Sequence, residues 1–159
     1  MNIDILCVGK IKENYLRDAI LEYSKRLSRY CKLNIIEVAD EKTIDKQSEA
    51  LDEQVRVKEG ERLLKYFKEN AFHITLEIQG KMLDSVQLSD MINDLGIKGY
   101  SDIQFIIGGS LGLSSQVINK SDYALSFSKM TFPHQLMRVI LLEQIYRGYR
   151  IINNEPYHK

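Results

Sequence analysis

A chain of 159 residues with 22 basic and 22 acidic side chains carries no formal net charge. This balance excludes a globally basic nucleic-acid-binding protein, so affinity for RNA would need a local basic patch or a large preassembled target. Cys7 and Cys31 offer neither a disulfide framework nor a metal-ligand spacing, so we expect no metal and a reducing cytosol. Without a signal-peptide pattern or a membrane-length apolar run, we expect one cytoplasmic domain over residues 1–159, small enough to suit a dimer.

Short apolar runs alternate with amphipathic helical patterns along the chain. In chain order the patterns predict a strand over 3–8, a helix over 12–30, a strand over 33–38, a surface loop over 39–48 and a charged helix over 49–69. They then predict a strand over 72–78 that ends before Gly80, a helix capped by Ser85 that stops near Gly96 and Gly99, and a strand starting at Ile103. A short helix capped by Ser114 or Ser115, a strand starting at Tyr123 and a helix over 134–153 follow. This alternation predicts an α/β fold with a parallel sheet flanked by helices.

Two glycines end the strand that starts at Ile103. The strand is apolar and rich in β-branched and aromatic residues, which is typical of a strand covered on both faces. Gly108 and Gly109 then remove every Cβ at the carboxyl end of the strand, where ligands bind in open α/β sheets. A tight turn without a ligand is the alternative interpretation.

The strand starting at Tyr123 leads into a short loop before the last helix. Apolar and small residues alternate up to Ser128, which is the period of a half-buried strand. Pro133 disfavours helical geometry at Phe132 and is itself favoured at the first helical position, so the loop ends sharply there. We expect this loop to face the glycine turn across a pocket.

The helix over 134–153 is apolar around most of its circumference. Such a helix must be buried on more than one side, and in a chain this short the second side suits a partner subunit. Its polar residues Glu143, Arg147 and Arg150 share one stripe. They predict either an internal ion pair between Glu143 and Arg147 or a cationic edge that meets a phosphate or a developing anion.

Several of these motifs together resemble the RlmH family of SPOUT methyltransferases. They are GGSLGL from Gly108, LSFSKMTFPHQLMRV from Leu125, EQIYRGYR from Glu143 and the C-terminal PYHK, while LCVGKIK near the start and TLEIQGK in the middle extend the resemblance over the whole chain. The resemblance implies a SPOUT fold with a C-terminal trefoil knot. It also implies a homodimer whose active site is built across the interface. Physical reasoning from the residues alone stops at a doubly wound α/β layer, because threaded loops are very rare.

The family resemblance further implies methyl transfer from S-adenosylmethionine to N3 of a pseudouridine in helix 69 of 23S rRNA. Because the chain is compact, neutral and without an added RNA-binding module, we expect the assembled 70S ribosome, and neither DNA nor a membrane, to supply the recognition surface. Carried over position by position, the cofactor falls on Leu76, Gly108, Phe127, Ser128, Lys129, Met130, Thr131 and Phe132.

The acceptor side falls on Arg147, Tyr157 and His158 by the same resemblance. Our hypothesis is that His158 assists deprotonation or orients the base and that Arg147 stabilises the resulting anion. Without the resemblance, His158 would be interpreted as a disordered terminal residue. We interpret His134 as structural or as a pocket wall, and His73 as a core or surface histidine.

Two other function classes compete with a methyltransferase. A dinucleotide-dependent enzyme would carry a glycine-rich G-x-G-x-x-G loop after its first strand, where this chain has only Gly9. A non-catalytic ribosome-binding factor stays as the alternative, because it requires only a basic face and no cofactor pocket.

Overall fold

The computed structural model describes residues 1–159 and contains one five-stranded sheet with helices on both faces. The elements are β1 (Asn2–Val8), α1 (Asn14–Leu27), β2 (Lys32–Val38), α2 (Glu49–Leu64), β3 (Phe72–Met82), α3 (Ser85–Ile97), β4 (Asp102–Ile107), α4 (Ser115–Asn119), β5 (Tyr123–Ser126) and α5 (His134–Ile152). The strands lie in the order β2-β1-β4-β3-β5, and every neighbouring pair is parallel. The predicted helix-flanked parallel sheet is therefore confirmed.

The sheet separates two hydrophobic cores of unequal size. In β1, Ile5 and Cys7 belong to the larger core beneath α1, α3 and α5, whereas Leu6 and Val8 belong to the smaller core beneath α2 and α4. Successive side chains of a strand face opposite sides of the sheet, so a strand covered on both sides must be apolar throughout. This explains why the central strands are continuous apolar runs.

Helix α5 packs against the sheet and against both α1 and α3. Leu141, Leu142 and Ile145 are fully buried along its middle, while Leu136 near its start stays exposed. Neighbours within the same chain thus cover several sides of this helix, and its apolar circumference alone does not require a partner. Although α5 is the longest helix, no helix combines the length and apolar character needed to cross a membrane.

Strand β3 is longer than the sequence predicts, and Gly80 lies inside it. After a bulge between Leu76 and Lys81, the strand pairs with β5 again and continues to Met82. A Cβ at Gly80 would lie 2.7 Å from the backbone of Ala124, so only glycine lets these two strands approach. The glycine that was expected to end the strand instead permits its second half.

Several helix boundaries also differ from the predictions, and α1 begins at Asn14 instead of residue 12. Helix α1 ends at Leu27 and helix α2 ends at Leu64, because each is followed by a tight backbone turn. Residue periodicity does not reveal these turns. The N-cap of α3 is Asp84 rather than Ser85, since the Asp84 carboxylate accepts a hydrogen bond of 2.8 Å from the Gln87 amide. The Gln87 side chain returns a bond to the Asp84 amide and completes a capping box.

Candidate active site

The middle of β3, where its bulge begins, and the carboxyl ends of β4 and β5 line a cavity of about 510 Å³. This volume falls within the range of about 300–1,000 Å³ that is usual for small-molecule and cofactor sites. The lining residues are Leu76, Glu77, Ile78, Ile107, Gly108, Gly109, Ser110, Gly112, Leu125, Phe127, Ser128, Met130, Thr131, Phe132, Pro133, His134 and Met137. The two loops that the sequence places at strand ends therefore do face one another across a pocket.

The glycine turn after β4 forms one wall of this cavity. The Gly112 amide donates to the Gly109 carbonyl at 3.1 Å and closes the turn. A Cβ at buried Gly108 would lie 2.8 Å from the backbone carbon and oxygen of Gly112, so any side chain there would force the turn to open. From the sequence alone, a tight turn and a ligand site are alternatives. In the structure the same glycines form a tight turn and also line a cavity.

The loop between β5 and α5 forms the opposite wall and is held by its own serines. The Ser126 hydroxyl donates to the Ser128 carbonyl at 3.1 Å, and the Ser128 hydroxyl accepts from the Met130 amide at 3.0 Å. Pro133 is the N-cap of α5, whereas the sequence pattern predicts it at the first helical position. Local side-chain bonds of this kind fix a loop without strands or helices.

Of the eight residues predicted to hold the cofactor, seven line the cavity. The exception is Lys129, which is exposed and does not contribute to the wall. The resemblance assigned a continuous run of six residues, but a loop presents only some of its residues to one side. Apolar walls from Leu76, Ile107 and Phe132 beside backbone groups of the two loops can hold a flat ring and bind its polar edges.

His134 and Met137 bring the first turn of α5 into the cavity wall. Burial, and then the nearby charge of Arg138, lower the pKa of His134, which favours its neutral form. His134 is therefore a pocket wall, in agreement with one of the two roles considered from the sequence.

Arg138 was not identified from the sequence, although it fastens this end of α5. Its side chain is 1% exposed and donates to the carbonyls of Val8 at 2.9 Å and Gly9 at 2.7 Å. The same guanidinium pairs with Glu37 at 2.6 Å. A lone arginine inside the run LMRV carries no signal of burial, because periodicity marks only the apolar members of a buried face.

The residues predicted for the acceptor side meet around Glu143 in the second half of α5. One oxygen of Glu143 accepts from Arg147 at 2.6 and 3.0 Å and from the Tyr157 hydroxyl at 3.1 Å. The Arg147 guanidinium lies 4.7 Å from the centre of the Tyr157 ring, and its Nη1 is 3.2 Å from Nδ1 of His158. We call Glu143, Arg147, Tyr157 and His158 the C-terminal cluster.

Within the C-terminal cluster, Arg147 stays positively charged and Tyr157 keeps its hydroxyl proton at neutral pH. The hydrogen bonds to Glu143 raise the pKa of Arg147. Burial, together with the charge of Glu143 and the bond to it, raises the pKa of Tyr157 to about 12. Tyr157 is therefore protonated at neutral pH and can donate but not act as a base. Exposed His158 carries the only imidazole of the cluster.

Arg150, on the same stripe as Arg147, has a different environment. It pairs with Glu155 at 2.6 Å and donates to the Tyr30 hydroxyl at 3.1 Å and the Pro156 carbonyl at 2.9 Å. These contacts fasten the C-terminal segment to α5 and to the connection between α1 and β2. The ion pair predicted between Glu143 and Arg147 is confirmed, whereas Arg150 supports the chain end and does not extend a free cationic edge.

The cavity and the C-terminal cluster lie apart within one chain. Met137 is the last residue of α5 in the cavity wall, and Arg147 follows ten residues later. Ten helical residues span about 15 Å. No member of the cluster lines the cavity.

Comparison with known proteins connects this arrangement to a family. A family model described as a predicted SPOUT methyltransferase matches residues 1–158. Proteins named ribosomal RNA large subunit methyltransferase H from Clostridium tetani and Bifidobacterium adolescentis are 65% and 64% identical over 159 residues, with both chains of each pair fully covered. The structure of "a probable methylase family protein" from Haemophilus influenzae Rd KW20 has a TM-score of 0.57 at 14% identity and covers 99% of this chain and 70% of its own. That likeness shows the fold alone.

Proposed function

Since this chain belongs to the SPOUT methyltransferases, and within them to the RlmH family whose resemblance its motifs carry, we propose that it methylates large-subunit ribosomal RNA with S-adenosylmethionine. The proposed acceptor is N3 of a pseudouridine in helix 69 of 23S rRNA, presented by the 70S ribosome in the cytoplasm. The observation that carries the proposal is the cavity formed by the Gly108 turn and the loop after β5.

The volume of the cavity and the chemistry of its lining support binding of S-adenosylmethionine. A Cβ at Gly108 would crowd the turn that forms one wall, so the ligand is met there by bare backbone. Leu76, Ile107 and Phe132 offer apolar surface for the adenine ring, while backbone amides and carbonyls of the two loops suit its ring nitrogens and the ribose hydroxyls. When bound, S-adenosylmethionine supplies a methyl group that its sulfonium already makes electrophilic.

The chain must therefore orient the reactants more than it must activate the methyl group. Holding a nucleophile and a methyl carbon in line can contribute about 7–11 kcal/mol at best. The Ser128 and Met130 contacts and the Arg138 anchor keep the loop and the first turn of α5 in one geometry. Rigid placement of the cavity walls is the contribution that these residues make to the rate.

The acceptor nitrogen needs chemical help, because an imide N–H is a poor nucleophile until it loses its proton. We assign proton removal or orientation of the base to His158, and stabilisation of the developing anion to Arg147. The positive charge on Arg147 suits an anion near a carbonyl oxygen, whereas the single hydroxyl proton of Tyr157 is donated to Glu143. Glu143 holds both groups in place through a single carboxylate oxygen.

We further propose that the chain acts as a homodimer in which each C-terminal cluster serves the cavity of the other copy. About 15 Å of helix separates the two regions within one chain. The cavity mouth exposes Ile78, Met130 and Phe132, and Met130 is 72% exposed. Apolar side chains at a site that lacks its acceptor groups suit coverage by a second subunit. The trefoil knot that the family implies stays a prediction.

The test is methyl transfer from labelled S-adenosylmethionine to ribosomal material from cells that lack the corresponding gene. Purified 70S ribosomes, 50S subunits and free ribosomal RNA would be compared, and the label would be mapped by mass spectrometry. We expect label on one helix 69 pseudouridine, chiefly in 70S ribosomes. Label elsewhere would overturn the acceptor assignment. A thermal midpoint unchanged by S-adenosylmethionine, with no label on any particle, would instead support a non-catalytic ribosome-binding factor.

A further inference from the structure

The neutral total charge of this chain hides an uneven distribution. Residues 23–34 carry four cations and no acid, whereas residues 40–53 carry six acids and two lysines. The four cations are Lys25, Arg26, Arg29 and Lys32, which we call the α1 basic patch. Lys25 and Arg26 lie in the last turn of α1, Arg29 lies in the connection that follows, and Lys32 is the first residue of β2.

The α1 basic patch is accessible, although Arg26 pairs with Glu22 at 3.0 Å. All four residues are exposed, and neither Lys25 nor Lys32 forms an ion pair. The Arg29 side chain is 66% exposed, and its partner Glu155 lies 3.5 Å away. Cations in the last turn of a helix also complement the helix dipole, but Arg29 and Lys32 lie beyond the helix, where that explanation does not reach.

Aromatic rings connect the α1 basic patch to the C-terminal cluster. The Arg26 guanidinium lies 5.3 Å from the centre of the Tyr23 ring and 5.6 Å from that of Tyr146. Tyr146 in turn meets the Tyr157 ring edge-on at 4.9 Å. Cations interleaved with aromatic rings are typical of surfaces that follow a nucleic-acid strand.

An open groove of about 800 Å³ runs beside the patch between α1 and the edge strand β2. Ser24, Ser28, Arg29 and Lys32 contribute to its lining. Hydroxyl and cationic side chains are the groups that most often contact phosphate and sugar oxygens in protein–nucleic acid complexes. The Ser28 hydroxyl already donates to the Lys25 carbonyl at 2.6 Å, so the groove adds the Ser24 hydroxyl donor to the charge of the patch.

We propose that the α1 basic patch and this groove bind the phosphate backbone of the RNA whose base reaches the C-terminal cluster. Phosphate contacts position a nucleic acid without reading its sequence, so the patch would supply affinity and register. The proposal rests on the proposed function, since it names the surface that a ribosomal RNA substrate would contact. It also explains how a chain with no net charge can bind a polyanion.

The experiment uses the double variant Lys25→Gln/Lys32→Gln, because neither side chain makes an ion pair or a hydrogen bond that the fold would lose. The matched control is Lys58→Gln/Lys120→Gln, which removes two exposed lysines without ion pairs from α2 and the C-cap of α4, on the opposite face of the sheet. Binding to 70S ribosomes from cells lacking the gene would be measured by co-sedimentation over a series of KCl concentrations.

We expect the patch variant to bind more weakly than the wild type and to have a shallower dependence of log K on log salt, by about one unit for each lost phosphate contact. The control should match the wild type, and both variants should keep the S-adenosylmethionine thermal shift. In methyl transfer, the patch variant should raise KM for ribosomes and leave kcat unchanged.

A patch variant that binds ribosomes as the control does, with the same salt slope, overturns the inference. Binding is scored separately from chemistry, so the two proposals fail in different ways. A wild-type protein that binds through the patch but transfers no methyl group contradicts only the proposed function. If the patch variant transfers methyl groups with the same KM and the same salt slope as the wild type, only the role of the patch is contradicted.

Discussion

The cavity and the C-terminal cluster are built from different materials. Bare backbone at Gly108 and apolar side chains form the cavity, whereas the cluster is a set of charged and hydroxyl groups bonded to Glu143. A methyl donor that is already electrophilic needs placement, which backbone and packing provide. An acceptor that becomes an anion needs charge, which only side chains provide. We therefore expect substitutions in the cavity to weaken cofactor binding and substitutions in the C-terminal cluster to lower the rate of methyl transfer without affecting cofactor binding.

The largest effect is expected from Arg147→Gln in the C-terminal cluster. Removing a charged donor aimed at a developing anion should lower the rate of methyl transfer by about 10²–10³-fold. The thermal shift with S-adenosylmethionine should persist, because Arg147 does not line the cavity. Single-turnover transfer to 70S ribosomes measures the rate.

Two further variants sharpen this result. Arg147→Lys keeps a charge but loses the planar fork that makes two bonds to Glu143, so intermediate transfer would assign part of the effect to charge alone. Arg62→Gln removes another arginine paired with a glutamate, on α2, and should leave the rate unchanged. Wild-type rates for Arg147→Gln would remove Arg147 from the acceptor side.

A second large effect is expected from Gly108→Ala in the cavity wall. The new methyl group would meet the Gly112 backbone at 2.8 Å, and the turn must open to admit it. A displacement of about 1 Å can cost about 10² in rate. Unlike the Arg147 variant, this one should also lose the thermal shift with S-adenosylmethionine.

The matched control for Gly108→Ala is Gly96→Ala in α3. A Cβ there would meet only the end of the Met1 side chain at an ordinary 3.6 Å. Alanine also has the higher helix propensity, so the control should be as stable as the wild type or more so. A normal cofactor shift in Gly108→Ala would show that the turn does not hold the cofactor.

Mixing these two inactive variants tests whether the regions act across a dimer. If each cluster serves the cavity of the other copy, a mixed dimer has one damaged site, with both substitutions, and one intact site. Random exchange of equal amounts should then restore roughly a quarter of wild-type activity, because about half of the dimers are mixed and each has one working site. If cavity and cluster of the same chain work together, mixing restores nothing.

The cavity could be predicted from sequence largely because its signals are local. Paired glycines after an apolar strand indicate a turn, and Pro133 after a polar loop indicates the start of a helix. The same local logic failed at Gly80, where the reason for a glycine is the backbone of a distant strand. Arg138 was missed for a related reason, since its partners lie about 100 or more residues away along the chain.

The C-terminal cluster could be predicted only in part. The spacing of Glu143 and Arg147 on one helix predicts their ion pair, and the structure contains it. The return of Tyr157 and His158 to the same helix depends on Arg150, Glu155 and the turn after α5, which no periodicity encodes. Their roles came from family resemblance and still await the experiments proposed above.

The smallest effect is expected from Asp4→Asn, which tests the scaffold beneath both regions. Asp4 is buried and accepts from Asn34 at 3.0 Å and Gln104 at 2.9 Å, and it pairs with Lys68 at 2.9 Å. Burial raises the pKa of Asp4, but these hydrogen bonds and the Lys68 charge outweigh burial and hold the pKa below its usual value. Loss of the charged bond should lower the free energy of unfolding by roughly 1–3 kcal/mol at neutral pH.

The pH dependence of that loss identifies its cause. A carboxyl group whose pKa is lower in the folded state stabilises the fold above its unfolded pKa, near 4, and the stabilisation disappears as the pH falls through the folded value. The difference in urea midpoint between wild type and Asp4→Asn should therefore be full at pH 7 and narrow below about pH 4. A constant difference would mean that packing, not charge, is lost. The thermal shift with S-adenosylmethionine and the rate of methyl transfer at pH 7 should be unchanged, because Asp4 belongs to neither the cavity nor the C-terminal cluster. This result would separate loss of stability from loss of function in the two regions.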